Sequence, residues 1–359
     1  MKISMEKKFI KRFTICSLVM ALVCIGIVVL FDPFFHYHDA VKPLKHVLEE
    51  RDYQVAGTLD HFDYNAVILG NSVAENDNNA WYDEAFDVTA IKAVKAAGSN
   101  SDLMFYLDRA YETHELDKVF YNIKIDMLKY DTNDNFAGQD YYYLINNNPF
   151  DDAEYLLNKD VLLKKIPIML AYSFVLDYDE GESYSWYRTK EYSVNAVTSR
   201  YEPLEYINEA RPLDENQDFL DANIKLIVDR VSAHPETEFY IFIPPSSAVW
   251  WDNEYREGRV EQNLYQYEQF CDSLLDYDNV HIFAFFADES MTYDLSAYMD
   301  SVHFKPDFNK YMVDCMVNGD YLVTKENVKD YSQMTYEFIY KFSNELILEY
   351  YPNAVVNAE

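Results

Sequence analysis

Cysteine is scarce in this sequence, and the few cysteines form no recognisable motif. Four cysteines occur among 359 residues. Cys16 and Cys24 lie inside one apolar run, so only Cys271 and Cys315 remain elsewhere in the chain. A single pair excludes a disulfide framework, and the sequence leaves open whether these two cysteines are bonded. No Cys-x-x-Cys motif is present, and we therefore predict no zinc or other metal site and no redox function.

Positive charge is also scarce. The chain has 30 Lys and Arg against 62 Asp and Glu, which gives a formal net charge of −32 at pH 7. A surface of this sign repels a phosphate backbone, which excludes nucleic acid as a partner. Disorder is not implied, because 17% of the residues are aromatic, including 33 Tyr and 23 Phe. Aromatic side chains at this density can build a folded core.

One long apolar run extends from Phe13 to Phe31. It is long enough to cross a bilayer as a helix. The basic residues 1–12 precede it, and this one-sided charge predicts a cytoplasmic N-terminus, a transmembrane anchor at 13–31 and a juxtamembrane segment at 32–63. The rest of the chain would then be an extracellular domain at the plasma membrane. A cleaved signal peptide is the alternative, although no Ala-x-Ala site follows the run.

The remaining chain, residues 64–359, alternates apolar strands with amphipathic helices. Strands are predicted at 66–70, 88–91, 119–125, 238–243 and 280–286, and helices at 101–113, 213–233 and 261–275. Strands separated by helices predict an α/β fold with a mostly parallel sheet covered on both faces. The alternation is lost between about 128 and 210, which we interpret as a large helical and irregular insertion.

Two short motifs, far apart in the sequence, carry the chemistry that it suggests. Gly70-Asn71-Ser72 follows the first predicted strand, and Asp300-Ser301-Val302-His303 lies near the end of the folded region. A serine becomes a nucleophile when an imidazole takes its proton, and that imidazole needs a carboxylate on its other nitrogen. We therefore predict Ser72 as nucleophile, His303 as base and Asp300 as the group that orients it. Ser72 as an ordinary helix cap is the alternative.

Acyl transfer also needs hydrogen-bond donors for the oxyanion that forms on the attacked carbonyl. Gly98 follows the second predicted strand, and without a Cβ it can bring its N–H close to that oxygen. The carboxyl ends of parallel strands share one edge of a sheet, so Ser72 and Gly98 are expected at the same edge. The backbone N–H of Ser72 is the second candidate donor.

The order of these blocks resembles the SGNH (GDSL-like) hydrolase superfamily. There a Gly-x-Ser block follows the first strand, a glycine the second and an asparagine the third, and Asp-x-x-His lies near the end. Gly70-Asn71-Ser72, Gly98 and Asp300-Ser301-Val302-His303 match this order. Asp126 occupies the place of the asparagine, and Asn122 is the candidate substitute. The resemblance implies a three-layer α/β/α, flavodoxin-like fold and a serine esterase or acyltransferase without metal or organic cofactor.

Together with the anchor, the plan is similar to that of membrane-anchored SGNH-like proteins of surface-polymer modification. Examples are the D-alanyl transfer protein of teichoic acid D-alanylation and alginate-type O-acetyltransferases. This resemblance implies acyl transfer or ester hydrolysis on a cell-envelope polymer or polysaccharide, beside a membrane-bound O-acyltransferase. A catalytically silent scaffold or polymer-binding protein of such a complex is the alternative.

Two adjacent tryptophans follow the turn that ends the fourth predicted strand. Trp250 and Trp251 come shortly after Pro244-Pro245. Exposed indole rings stack on sugar rings, so both residues are candidates for binding a glycan. Ordinary packing in the core is the alternative interpretation of the pair.

Overall fold

The computed structural model describes residues 2–132, 139–146, 148–207 and 209–356. The chain divides into two compact units, one formed by Met1–Phe62 and Phe136–Ser183 and the other by Asp63–Asn135 and Tyr184–Glu359. The predicted insertion is therefore divided between the two units. Its middle part, 136–183, belongs with the N-terminal segment, and its two ends belong with the sheet.

The second unit contains a sheet of five parallel strands. They are β1 (Ala66–Gly70), β2 (Ala90–Val94), β3 (Lys118–Asn122), β4 (Glu238–Ile243) and β5 (Val280–Ala284). The order across the sheet is β2-β1-β3-β4-β5, which is the doubly wound order of flavodoxin-like folds. The predicted α/β class is confirmed. In this order β1 lies between β2 and β3, and the crevice at the switch point opens beyond their carboxyl ends.

The helices along the chain are α1 (Lys2–Phe31), α2 (Arg51–His61), α3 (Asn79–Phe86), α4 (Asn100–Thr113), α5 (Ala153–Leu156), α6 (Ile166–Phe174), α7 (Val194–Thr198), α8 (Gln217–Ala233), α9 (Ala248–Arg256), α10 (Val260–Leu274), α11 (Glu289–Tyr293), α12 (Pro306–Asn318), α13 (Val328–Lys341) and α14 (Ile347–Tyr350). Short 3-10 turns at Ala74–Asn76 and Ile125–Lys129 follow β1 and β3. A π-helical turn at Val161–Lys165 leads into α6.

Both faces of the sheet are covered, because alternate side chains of each strand point to opposite sides. On one face Phe120 belongs to the same buried cluster as Met312 and Met316 of α12. On the other face the Tyr121 hydroxyl donates to Asn100 of α4 at 2.6 Å. The Asn100 amide in turn donates to Asn223 of α8 at 2.8 Å. Burial from both sides explains why Ala66–Gly70 is an uninterrupted apolar run with no exposed residue.

The first unit begins with α1, whose part Met5–Phe31 is the one helix of the described chain that is long and apolar enough to cross a membrane. Only 6% of its most apolar window is buried within the protein. The helix ends at Phe31, and the carboxylate of the next residue, Asp32, accepts hydrogen bonds from the N–H groups of His36, Tyr37 and His38 at 3.1, 2.6 and 3.0 Å. The Tyr155 hydroxyl also donates to Asp32, at 2.7 Å. Asp32 thus ties the end of the apolar helix to α5 and to the residues that directly follow Asp32.

Candidate active site

The turn after β1 presents Ser72 at the carboxyl edge of the sheet. The strand ends at Gly70, where a Cβ would lie 2.6 Å from the Cβ of Ala74 and 3.2 Å from the carbonyl oxygen of Asn122. Only glycine therefore allows the turn to fold back so closely on the strand. The Asn71 side chain accepts from the Val73 N–H at 3.1 Å and fixes the turn from inside. Ser72 itself remains partly exposed.

Ser72, His303 and Asp300 lie in one hydrogen-bonded series. Ser72 Oγ lies 2.9 Å from His303 Nε2. His303 Nδ1 lies 2.9 Å from Asp300 Oδ2 and 3.1 Å from Oδ1. An ionised carboxylate can only accept, so in the neutral imidazole Nδ1 carries the proton and Nε2 accepts from the serine hydroxyl. The sequence prediction for these three residues required such an approach of serine and histidine.

The Asp300 carboxylate is held ionised by the groups that surround it. Burial on its own would raise the pKa of Asp300, but the side chain and N–H of His303 and the N–H of Val302 bond to it, and together they lower its pKa below the ordinary value. Both backbone N–H groups lie 2.8 Å from Oδ1. The carboxylate is thus fixed by its own loop before it contacts the imidazole ring.

The loop that carries Asp300 and His303 is fastened to the turn after β4. Ser247 is fully buried. Its N–H and its hydroxyl both donate to the Ser301 carbonyl, at 3.1 and 2.7 Å. The base of the loop is closed by an antiparallel bridge between Tyr298 and Phe304. The position of His303 therefore depends on a contact between two turns, which the sequence did not reveal as functional.

Two aromatic residues near the Asp300–His303 pair were also missed, because they lie in the region without strand and helix alternation. The Trp186 ring meets the His303 ring edge-on, with 5.3 Å between centroids. The Trp186 N–H donates to the Asn76 side chain at 3.1 Å. Burial, followed by the charge of Asp300, raises the pKa of Tyr192 to about 12. The side of the site that faces the histidine is therefore aromatic.

The predicted oxyanion donors differ in whether they already have a hydrogen-bond partner. The Gly98 N–H donates to the Lys95 carbonyl at 3.0 Å in the turn before α4, so it is already engaged in this structure. Asn122 is the last residue of β3, and its side-chain amide is fully buried. Within the described residues, neither polar atom of that amide has a hydrogen-bond partner. The Ser72 N–H likewise donates to no group among the residues described.

A cavity of about 540 Å³ lies beside the serine turn, at the carboxyl ends of β1, β2 and β3. It is lined by Asn71, by Gly98 and its neighbours, and by the segment from Lys124 to Asp131. Asp126, which occupies the expected asparagine position, forms an ion pair with Lys124 at 3.2 Å. Both side chains are largely buried, so the cavity wall carries a paired carboxylate rather than an isolated negative charge.

The two tryptophans proposed for glycan stacking differ. Trp251 is 1% exposed and packs against Phe286, so its assignment to a surface platform is wrong. Trp250 is partly exposed, and Lys124 Nζ lies 5.8 Å from the centre of its ring. Successive residues of a helix point about 100° apart, so one of two adjacent rings in α9 enters the core. Trp250 thus lies near Lys124, a residue of the cavity wall.

The sequence predictions also concern the cysteines and the potential metal ligands. Cys271 and Cys315 are both buried and not bonded to each other. Among the described residues, no group of three or more His, Cys, Asp or Glu side chains is arranged to hold a metal ion.

Comparison with known proteins gives no family for this chain. No family model matches it. No curated protein matches it either. One solved structure with a similar fold is described as "a putative platelet activating factor from Streptococcus pneumonia", with 13% identity and a TM-score of 0.37, over 76% of this chain and 91% of the other. A similarity of this extent carries no functional inference, so the site has to be interpreted from its own geometry.

Proposed function

We propose that the protein is an extracytoplasmic, serine-dependent O-acyl esterase or O-acyltransferase. The observation that carries this proposal is the hydrogen-bonded series from Ser72 through His303 to Asp300, with 2.9 Å at each of its two links. A partly exposed serine, a histidine in the required tautomer and an ionised aspartate are the groups that acyl transfer needs. They also lie beside a cavity at the crevice where ligands of such sheets bind.

In the proposed reaction Ser72 Oγ attacks the carbonyl carbon of an ester. His303 Nε2 takes the serine proton as the new bond forms, and Asp300 stabilises the imidazolium. The tetrahedral intermediate collapses when His303 returns the proton to the departing alcohol oxygen, which leaves the acyl group on Ser72. Water, or a hydroxyl of an acceptor, then attacks the acyl group while His303 takes its proton, and the bond from the acyl carbon to Ser72 Oγ breaks as His303 returns that proton to the serine. The acceptor decides between hydrolysis and transfer.

Charge on the intermediate needs at least one donor near the attacked oxygen. The Ser72 N–H is the strongest candidate, since it belongs to the nucleophile and has no partner among the described residues. Gly98 could contribute only after its turn with Lys95 opens. Lys124, in the cavity wall, brings a positive charge to the same edge of the sheet.

The proposed substrate is an acylated cell-envelope polymer or polysaccharide. Support comes from the apolar helix Met5–Phe31 with its basic flank, which would hold the site at the outer face of the plasma membrane. A membrane-bound O-acyltransferase is the proposed partner, as the source of the acyl group. Trp186 beside the histidine and Trp250 near Lys124 of the cavity wall provide aromatic surface for a sugar ring.

Covalent labelling with a fluorophosphonate probe tests the nucleophile directly. The full-length protein should be labelled in detergent, and Ser72→Ala should lose the label. Ser232→Ala is the matched control, because Ser232 is an exposed serine of α8 that only bonds to the Asp229 carbonyl of its own helix. Labelling that survives in Ser72→Ala, or that disappears in Ser232→Ala, contradicts the proposal.

A catalytically silent scaffold or polymer-binding protein is the second candidate. It is favoured by the oxyanion side, where the Gly98 N–H is engaged and Asp126 replaces an asparagine. A scaffold would bind polymer equally well with serine or alanine at position 72. Labelling of Ser72 without turnover of any ester would support this second candidate.

A further inference from the structure

The segment from Leu156 to Leu176 exposes an unusual amount of apolar surface. Leu163 is 69% exposed, Phe174 59% and Val175 80%. Leu157 and Leu176 are also more than half exposed. These residues belong to one continuous stretch that includes the π-helical turn and α6. Contiguous apolar surface of this kind marks contact with a membrane or another protein.

This segment lies against the apolar helix α1. A groove of about 590 Å³ is lined on one side by α1 residues between Phe13 and Cys24, and on the other by residues between Leu156 and Leu162. At 1.5 Å per residue, Cys24 lies about 10 Å and Phe13 about 27 Å before the end of α1 at Phe31. The groove therefore runs beside the part of α1 that would lie inside a bilayer.

Both ends of the segment return to the level where α1 ends. At its start, Tyr155 bonds to Asp32 and accepts from the Phe34 N–H at 3.2 Å. Lys165, midway along the segment, forms an ion pair with Glu50, and near the end of the segment the Ser173 hydroxyl accepts from the Lys45 N–H at 3.0 Å. A chain that starts and finishes at one end of a membrane helix, and contacts its middle in between, has the path of a re-entrant element.

The charge of the segment suits a phospholipid surface. It contains Lys159, Lys164 and Lys165 against a single acid, Asp160, in a protein of net charge −32. Asp160 is paired with Lys164 at 3.2 Å, which reduces the cost of placing either group near the membrane. Long lysine stems can also carry their ammonium groups to lipid phosphates while the backbone lies deeper.

We propose that residues Leu156–Leu176 form a re-entrant element that enters the bilayer beside α1 from the side of Phe31. Lipid is the occupant of its exposed apolar face. The π-helical turn and α6 would then contact acyl chains. Backbone groups in that environment must form hydrogen bonds within the protein, and helical segments meet this requirement. This inference rests on the proposed membrane anchor, and it adds a second point of attachment to it.

The proposal can be tested by measuring how strongly lipid acyl chains quench a fluorescent dye attached to the protein. The full-length protein would be used in proteoliposomes that contain no other protein. Single cysteines labelled with an environment-sensitive dye would replace Leu163 and Val175, in a background with Cys16→Ser and Cys24→Ser. Cys271 and Cys315 are buried and can remain. Leu22, 67% exposed on α1, is the positive control, and Val317, 52% exposed on α12, is the negative control. Lipids brominated on their acyl chains are the quencher.

The expected result is a loss of fluorescence at position 163 close to the loss at position 22, a smaller loss at position 175, which lies two residues from the contact of Ser173 with Lys45, and none at position 317. If position 22 is quenched but positions 163 and 175 are not, the re-entrant element is refuted and the anchor stands. A protein partner would then be the occupant of the exposed face. If position 22 is not quenched, both the anchor and this inference fail. Serine-probe labelling is unaffected by either failure.

Discussion

The two sides of the candidate site differ in how completely they are assembled. On the side of the Asp300–His303 loop, the proposed nucleophile, base and orienting carboxylate are already in hydrogen-bond contact. On the side of the loops after β2 and β3, the Gly98 N–H is engaged and Asp126 is paired with Lys124. For the proposed reaction, the groups that transfer the proton are thus preorganised, whereas those that would stabilise the oxyanion are not. The comparison separates formation of a nucleophile from efficient turnover, and each can be tested by itself.

The largest effect is expected from Asp300→Asn, which attacks the assembled side. An amide can donate to Nδ1 and favour the tautomer in which Nε2 carries the proton, so the imidazole no longer accepts from Ser72. We expect kcat/KM for a small activated ester to fall roughly 10⁴-fold. The measurement is the initial rate of ester hydrolysis. Asp294→Asn is the matched control, since Asp294 caps the preceding turn and has no contact with His303.

The same substitution changes how stability depends on pH. The folded state lowers the pKa of Asp300 below its ordinary value of 3.8. The ionised carboxylate therefore stabilises the fold fully above that value, and this contribution is lost as the pH falls through the folded-state pKa. Thermal unfolding should show the difference in Tm between wild type and Asp300→Asn narrowing below about pH 4. A constant difference at all pH values would contradict the ionised state of Asp300.

The assembled side was also the side that the sequence predicted. Ser72 follows an apolar run that had to be a buried strand, and Asp300 and His303 are close in sequence, so local pattern was sufficient. Ser247 and Trp186 could not be found in this way. Their roles arise from contacts with Ser301 and His303, which are distant in sequence, and a long-range contact leaves no local periodicity.

The tryptophans show the same limit on a smaller scale. The sequence shows only that Trp250 and Trp251 are adjacent, whereas the orientation of α9 decides which of the two side chains enters the core. The end of β3 was also not predictable from the local pattern. The strand ends at Asn122, three residues before the end that the apolar pattern predicted. That early end makes Asn122 the terminal residue of the strand. The α/β class with its mostly parallel sheet, by contrast, could be anticipated from the alternation of strands and helices.

An intermediate effect is expected from Ser247→Ala, which loosens the assembled side without touching its reacting groups. The substitution removes the buried 2.7 Å hydrogen bond to the Ser301 carbonyl and leaves that oxygen with one donor fewer. We expect the rate of ester hydrolysis to fall roughly tenfold and the free energy of unfolding to fall by about 1–2 kcal/mol.

Ser246→Ala controls for the loss of a hydroxyl in the same turn, because Ser246 is also buried but makes no bond to the Asp300–His303 loop. Urea unfolding and ester hydrolysis should be measured on both variants. Equal effects at positions 246 and 247 would show that the contact with Ser301 does not position His303.

The smallest effect is expected from Asp126→Asn, which alters the unassembled side. The substitution removes a carboxylate from the cavity wall and releases Lys124 from its 3.2 Å ion pair. The cavity wall then becomes more positive where negative charge develops on the substrate. We therefore expect kcat to rise about threefold. This factor corresponds to less than about 1 kcal/mol of partly screened Coulomb energy. Lys124→Met should lower kcat by a similar factor, and Asp229→Asn, in an exposed ion pair with Lys225, should leave it unchanged. If kcat rises in Asp126→Asn and falls in Lys124→Met, the developing negative charge lies beside this cavity. If kcat changes in neither variant, the oxyanion is stabilised elsewhere, at the N–H of Ser72 alone.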